Sequence, residues 1–175
     1  QAEQQGEPVL FLHGGDAFKG SGYFEEFGAA INSDILNRLQ LDAMALGNHE
    51  FDLGVAQLAS FARANQFPLL AANLDSSAEP ALANGLIQPY VLFEIDAQQR
   101  ARVVTLAQIQ QPARGVAVFG LALQDMKNLS TQTGALQFQD EIDSARQLVA
   151  TFKQHGIERV IALTHLGHQR DLTIA

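Results

Sequence analysis

Short apolar runs alternate with longer stretches of helical apolar spacing, and this alternation narrows the fold more than any other feature of the chain. Val9-Leu10-Phe11-Leu12 lies between Pro8 and Gly14-Gly15 and reads as a buried strand. From about Tyr23 to Gln40, the residues Phe24, Phe27, Ile31, Ile35, Leu36 and Leu39 recur at helical spacing. A strand-like run from Asp42 to Leu46 follows, then a helix from about Val55 to Ala64 with Val55, Leu58, Ala59, Phe61 and Ala62 on its apolar face. Pro68 to Leu74 reads as a third buried strand. Three strand–loop–helix steps at such short intervals predict parallel βαβ units, and hence an α/β fold.

The second half keeps the theme with one interruption. Tyr90 to Ile95 and Arg102 to Leu106 read as strands around a polar turn at Asp96 to Gln99, which predicts a hairpin. Val116 to Leu121 is another core strand, and Asp125 to Gln139 is polar and weakly patterned. Asp140 to His155 carries Ile142, Ala145, Leu148, Val149 and Phe152 at helical spacing, with Gly156 as its C-cap. Arg159 to Thr164 is the last strand. There is no internal repeat, low-complexity tract or linker, so the 175 residues are expected to form one domain.

Charge and cysteine usage restrict the chemistry. A formal net charge of −8 repels a polyphosphate backbone and argues against binding a nucleic-acid polymer. It leaves small phosphate esters open, because bound divalent cations reverse the local potential. With Cys 0, disulfides, thiolate metal sites and cysteine nucleophiles are absent, so a metal site must draw on His, Asp, Glu or Asn. No apolar run approaches the roughly 18 residues of a membrane span. The opening Gln1 to Glu7 is polar, without an initiator Met or signal-peptide core, and reads as a cut or processed end.

The polar residues fall in an informative place. Asp16, Asn48 with His49, and His165 each follow directly after a predicted core strand. If these strands are parallel neighbours, their tips converge on one edge of the sheet, where α/β proteins hold ligands. A carboxylate, an amide oxygen and an imidazole suit Zn²⁺, Mn²⁺ or Fe²⁺.

Four segments, in order, resemble one family: Gly15-Asp16; Gly47-Asn48-His49-Glu50-Phe51-Asp52; Asn73-Leu74-Asp75; and Thr164-His165-Leu166-Gly167-His168. They are similar to the motifs of the calcineurin-like metallophosphoesterases, and more closely to the branch of 5′-nucleotidases and 2′,3′-cyclic-nucleotide phosphodiesterases. The resemblance implies a sheet-centred α/β/β/α sandwich and a dinuclear metal centre acting on nucleotides or small phosphate esters. It implies that Asp16 bridges two divalent ions and that Asn48 and His165 bind the second of them. His49 becomes the imidazole that contacts the phosphate and protonates the leaving oxygen, Asp52 orients it, and Asn48 and His49 touch substrate. Asn73 is either a turn-former or a further substrate contact. Family habit also implies a periplasmic or secreted protein.

Two family motifs have no counterpart. No Asp-x-His precedes Asp16, where only Glu3 and Glu7 are acidic, and no Gly-His-x-His follows His165. The expectation is therefore a partial catalytic domain spanning 1–175, with at most one partial metal site, inactive on its own but belonging to a larger hydrolase. The stretch from Asp96 to Arg114 has no assigned role. Plainer readings stand beside these: Asp16 as a loop cap, Asn48 and His49 as turn formers, Asp52 as a helix N-cap alone, and His165 as a strand-end histidine. His13, Glu50 and His168 are read as structural or peripheral. The rival functions are a non-catalytic module that keeps the fold to bind nucleotides or partners, and a hydrolase of the same superfamily with another substrate.

Overall fold

In the computed structural model, which describes residues 7–98 and 100–175, two four-stranded sheets lie face to face between two layers of helices. The first sheet, in the order β1 (Leu12–His13), β2 (Ala43–Ala45), β3 (Leu69–Leu70) and β5 (Ile87–Gln88), is parallel throughout. The second runs β10 (Arg159–Thr164), β8 (Gly115–Leu121), β6 (Tyr90–Ile95) and β7 (Ala101–Val104). Its β10 and β8 are parallel, whereas β6 is antiparallel to both β8 and β7. A separate antiparallel pair joins β4 (Leu74–Asp75) to β9 (Gln137–Phe138).

Buried side chains explain the layering. Ala43 and Leu70 of the first sheet meet Val91, Phe93 and Val118 of the second in the space between the sheets. The outer face of the first sheet is covered by α1 (Gly22–Phe27), α2 (Ala29–Arg38) and α3 (Gly54–Ala64), through Phe24, Leu36, Leu58 and Phe61. Phe18 stacks edge-on to Phe61 with ring centroids 5.0 Å apart. Phe119 of β8 and Phe152 of α5 (Glu141–Gln154) anchor the opposite outer layer. At Gly120 the two sheets come so close that a Cβ would sit 2.6 Å from that of Leu70, so only glycine fits. There the Ala72 N–H donates to the Gly120 carbonyl at 2.7 Å, which ties one sheet to the other.

The hairpin, the parallel βαβ steps and the α5 helix agree with the sequence expectations. Asp140 caps α5 by accepting from the Asp143 N–H at 2.9 Å. Gln99 of the expected turn lies outside the described residues. Five expectations need correction. The single helix from Tyr23 to Gln40 is two, because Gly28 breaks it with φ +64°. The strand expected over Pro68 to Leu74 divides into β3 and β4, and the polar stretch from Asp125 holds α4 (Met126–Leu129) and β9. Only Leu12–His13 of the first expected strand pairs in the sheet. Finally, β10 is an edge strand with Ile161 exposed, not a core strand.

The stretch between Asp96 and Arg114 also finds a structural role. Glu94 accepts from the N–H groups of Gln110 and Gln111, at 2.8 and 2.6 Å, and pairs with Arg102, pinning this segment to the end of β6. Among the described residues no helix is long and apolar enough to cross a membrane.

Candidate functional site

The loop leaving β1 turns sharply, with Gly15 at φ +102° and Asp16 at φ +62°. Gly15 has to be glycine: a Cβ there would meet the Gly47 nitrogen at 2.5 Å and its Cα at 2.9 Å. Asp16 is among the few side chains that tolerate the left-handed region. The loop leaving β2 therefore lies directly against the loop leaving β1. Asp16 Oδ1 accepts from the His49 N–H at 3.0 Å, and Oδ2 lies 3.0 Å from His165 Nε2.

The strands carrying these residues do not all share a sheet. β1 and β2 are parallel neighbours, but His165 follows β10, at the edge of the facing sheet. The site is thus assembled across the sandwich, not along a single sheet edge. What brings β10 within reach is the contact between the sheets that also buries Val118 and Leu70.

The contact between His165 and Asp16 says what the pair can hold. His165 Nδ1 lies 3.1 Å from the Gly14 carbonyl oxygen, which can only accept, so Nδ1 carries a proton. Nε2 of the neutral ring then presents a lone pair to a carboxylate oxygen. Two such atoms at 3.0 Å need either a proton or a cation between them. Ligands at right angles around a metal, with bonds near 2.1 Å, are also about 3 Å apart. The carbonyl bond to Nδ1 is the usual support of a metal-bound imidazole. Asn48 follows β2 on the loop that lies against Asp16; it is half-buried, and among the described residues no hydrogen bond engages its side-chain amide. Among those same residues no group of three His, Cys, Asp or Glu side chains is placed to hold a metal ion, so a cation held by the carboxylate and the imidazole would need an amide oxygen or water for its further ligands.

His49 sits in a short 3₁₀ turn, His49–Phe51, and its Nδ1 is 2.7 Å from Asp52 Oδ2. Lys19 Nζ reaches the same oxygen at 2.6 Å. Burial alone would raise the Asp52 carboxyl, but the Lys19 ammonium and the His49 ring outweigh it and hold the group below its ordinary value. Asp52 does not cap the next helix: α3 starts after Leu53, with no side-chain cap. Asp52 therefore serves His49 and Lys19.

Glu50 is fully buried beneath both loops, where burial pushes its carboxyl up against the pull of backbone donors from Asp16, Gly47 and Phe18. His13, read from sequence as structural, is half-buried, and its Nδ1 accepts from the Gly15 N–H at 3.1 Å. Burial lowers its pKa, the Asp16 carboxylate works against that, and His165 adds to it, so the ring lies within the field of the site. The sequence alone leaves Lys19 unread and gives His13 only a structural place. The available signal is position: His13 is the last residue of β1, and Lys19 lies three residues beyond Asp16.

Asn73 is turned into the fold and not toward a substrate. Its side chain is completely buried, its NH₂ donates to the Ala122 and Gln139 carbonyls at 2.7 and 3.1 Å, and its oxygen accepts from the Ala122 N–H at 2.9 Å. Every proton of the amide is engaged within the fold. His168, exposed, opens α6 (His168–Ile174) and, among the described residues, forms no hydrogen bond or ion pair with Asp16 or His165.

No protein-family model matches the chain. It is 31% identical over 182 residues to a trifunctional nucleotide phosphoesterase of Bacillus subtilis, covering 95% of this chain and 12% of that protein. It is 32% identical over 178 residues to human 5′-nucleotidase, covering 100% of this chain and 28% of the relative. The solved structure of a 5′-nucleotidase precursor from Thermus thermophilus superposes with a TM-score of 0.79 at 34% identity, over 95% of this chain and 29% of that one. The chain thus spans less than a third of the length of each of these three proteins.

Proposed function

Since the chain belongs, over the length it shares with them, to the calcineurin-like phosphoesterases of the 5′-nucleotidase branch, we propose that it supplies one side of a metal-dependent active site for nucleotide phosphoester hydrolysis. The observation that carries this reading is the Asp16 carboxylate, whose two oxygens meet the His49 N–H and His165 Nε2, both at 3.0 Å, from two different sheets.

Asp16, Asn48 and His165 are the residues that would hold a divalent cation, such as Zn²⁺, Mn²⁺ or Fe²⁺, with Asp16 available to a second one. Bound cations of this kind supply Lewis-acid polarisation of a phosphoryl group and activation of a water. The protein's own part is proton handling and placement. Asp52 fixes the His49 ring through Nδ1, which leaves Nε2 as the atom to carry a proton to a departing oxygen. Lys19 keeps Asp52 ionised, so that the pair holds its charge and orientation. We take residues 1–175 to be part of a catalytic domain, with ligands for the other cation lying elsewhere in the full protein. Export to the periplasm or the medium is proposed on the same family grounds.

The test uses the full-length protein loaded with Mn²⁺ and assayed with AMP and with bis(p-nitrophenyl) phosphate. His49→Ala is expected to lower kcat by about 10²–10⁴, the usual contribution of a positioned proton donor. Undiminished turnover in that variant removes the mechanism. A second reading, a module that keeps the fold without hydrolysis, draws on the missing three-carboxylate-or-histidine cluster among the described residues. Absence of bound metal and of hydrolysis in the wild-type full-length protein would favour it.

A further inference from the structure

We infer that Glu50 is the positioning residue of this site: one buried carboxylate that clamps the Asp16 loop and the Asn48 loop together. The inference rests on the metal-site reading above for its consequence, but not for its geometry.

Glu50 Oε2 accepts from the N–H groups of Asp16, at 2.9 Å, and Gly47, at 2.6 Å. Its Oε1 accepts from Ala17 at 2.6 Å and Phe18 at 3.3 Å. Each oxygen takes two donors, and Oε2 takes one from each loop. The left-handed residues Gly15 and Asp16 turn three successive N–H groups, those of residues 16, 17 and 18, toward one point. Such a concavity binds an anion. Here the anion is a side chain of the chain itself, completely buried and delivered by the 3₁₀ turn that also carries His49. Asp16 occupies a sparsely populated backbone region, and residues of that kind persist only where their surroundings over-determine them. The Glu50 clamp, with the glycine-to-glycine contact of the two loops, supplies that determination.

The consequence concerns affinity, not chemistry. Asp16 and Asn48 are carried by the two clamped loops, so the spacing of two proposed cation ligands depends on a residue that touches neither cation nor substrate. Supporting residues behind metal ligands change affinity by about 10–100-fold when altered.

Glu50→Gln is the informative change because glutamine cannot imitate the arrangement. It has one acceptor oxygen, and in either orientation its NH₂ faces two backbone donors. Glu50→Asp keeps both oxygens on a shorter arm. Amide hydrogen exchange and Mn²⁺ titration calorimetry are measured on the full-length protein, with Glu94→Gln as the comparison. Glu94 also accepts two backbone N–H groups, but at the far segment from residue 96 to 114. The expected result is loss of protection at Gly47, Asp16, Ala17 and Phe18, with about 10–100-fold weaker Mn²⁺ binding in Glu50→Gln. Glu94→Gln should lose thermal stability while keeping wild-type affinity. If Glu50→Gln does not fold, Glu50→Asp decides: weakened Mn²⁺ binding supports the clamp, and wild-type binding overturns it. Wild-type amide protection in folded Glu50→Gln overturns it also. A wild-type protein that binds no Mn²⁺ but loses this protection in Glu50→Gln would sink the metal-site reading and leave the clamp standing.

Discussion

Gly47→Ala tests how closely the two loops must approach. The glycine is buried, and an added Cβ would sit 2.6 Å from the Asp16 nitrogen and 2.9 Å from its Cγ, with Oδ1 nearer still. Ordinary carbon contacts begin near ~3.5 Å, so Asp16 must retreat by roughly 1 Å. That movement stretches the 2.9 Å bond from the Asp16 N–H to Glu50 and the 3.0 Å bond from the His49 N–H to Asp16 beyond hydrogen-bonding range. Overpacking costs about 1–3 kcal/mol and each of the two lost bonds about 1 kcal/mol, for a total of about 3–5 kcal/mol. At roughly 2–4 °C per kcal/mol for a chain of this size, Tm should fall by about 5–20 °C. Mn²⁺ affinity should fall with it. Circular-dichroism melting and calorimetric titration read the two effects. Gly22→Ala is the control: a Cβ at that first position of α1 meets nothing within 4 Å, so alanine should be neutral or add up to about 1 kcal/mol. If Gly47→Ala melts within about 2 °C of wild type and binds Mn²⁺ equally well, the close-approach argument is refuted.

Two further substitutions separate roles within the site and behind it. Lys19→Met removes one of the partners that hold the Asp52 carboxyl below its ordinary value of 3.8. A lowered carboxyl contributes stability above the unfolded value, and that contribution disappears as pH falls through the folded one. Lys19→Met should therefore be less stable than wild type in urea at about pH 6, with the gap closing toward about pH 2; a gap of constant size would contradict the ion pair's role. Asn73→Ala leaves the buried Ala122 carbonyl and N–H and the partly buried Gln139 carbonyl without this partner, and should cost about 3–5 kcal/mol while Mn²⁺ affinity in the folded fraction stays unchanged. A raised KM with unaltered stability would instead return Asn73 to the substrate.

The chemistry-bearing loop was legible because its residue types and their crowding have few other uses. An amide, an imidazole and two carboxylates within five positions after a strand already imply a site, and the pairing of His49 with Asp52 at 2.7 Å needs only local geometry. The hairpin and α5 were legible for similar reasons, since strand alternation and a capping aspartate act over a few residues. Long-range facts were not legible. Nothing local distinguishes Gly28 as a helix break from a glycine tolerated inside a helix. Asn73 carries the same amide whether it faces a substrate or three backbone groups just past the ends of β8 and β9. Lys19 reads as a solvated loop cation until its partner is known to be the carboxylate that also holds His49.

The placement of β10 follows from the same distinction and bears on how the site works. Short apolar runs specify strands but not the sheet each one joins, so a single parallel sheet was the simplest assembly of Asp16, Asn48 and His165. In the folded chain His165 instead arrives from the far sheet, on an edge strand held on one side by β8. Its local support comes from α6, where Thr164 donates to Asp171 at 2.7 Å and Arg170 pairs with Glu141 and Asp125. A cation shared by Asp16 and His165 would therefore bind the two halves of the sandwich together, and any change in how the sheets pack would alter the 3.0 Å separation of its ligands. Gly120, where the sheets touch, lies on β8 beside β10 and pairs with Leu163, two residues from His165. Packing at the centre of the fold and coordination at its edge are thus one geometric constraint, set by residues that no local sequence pattern connects.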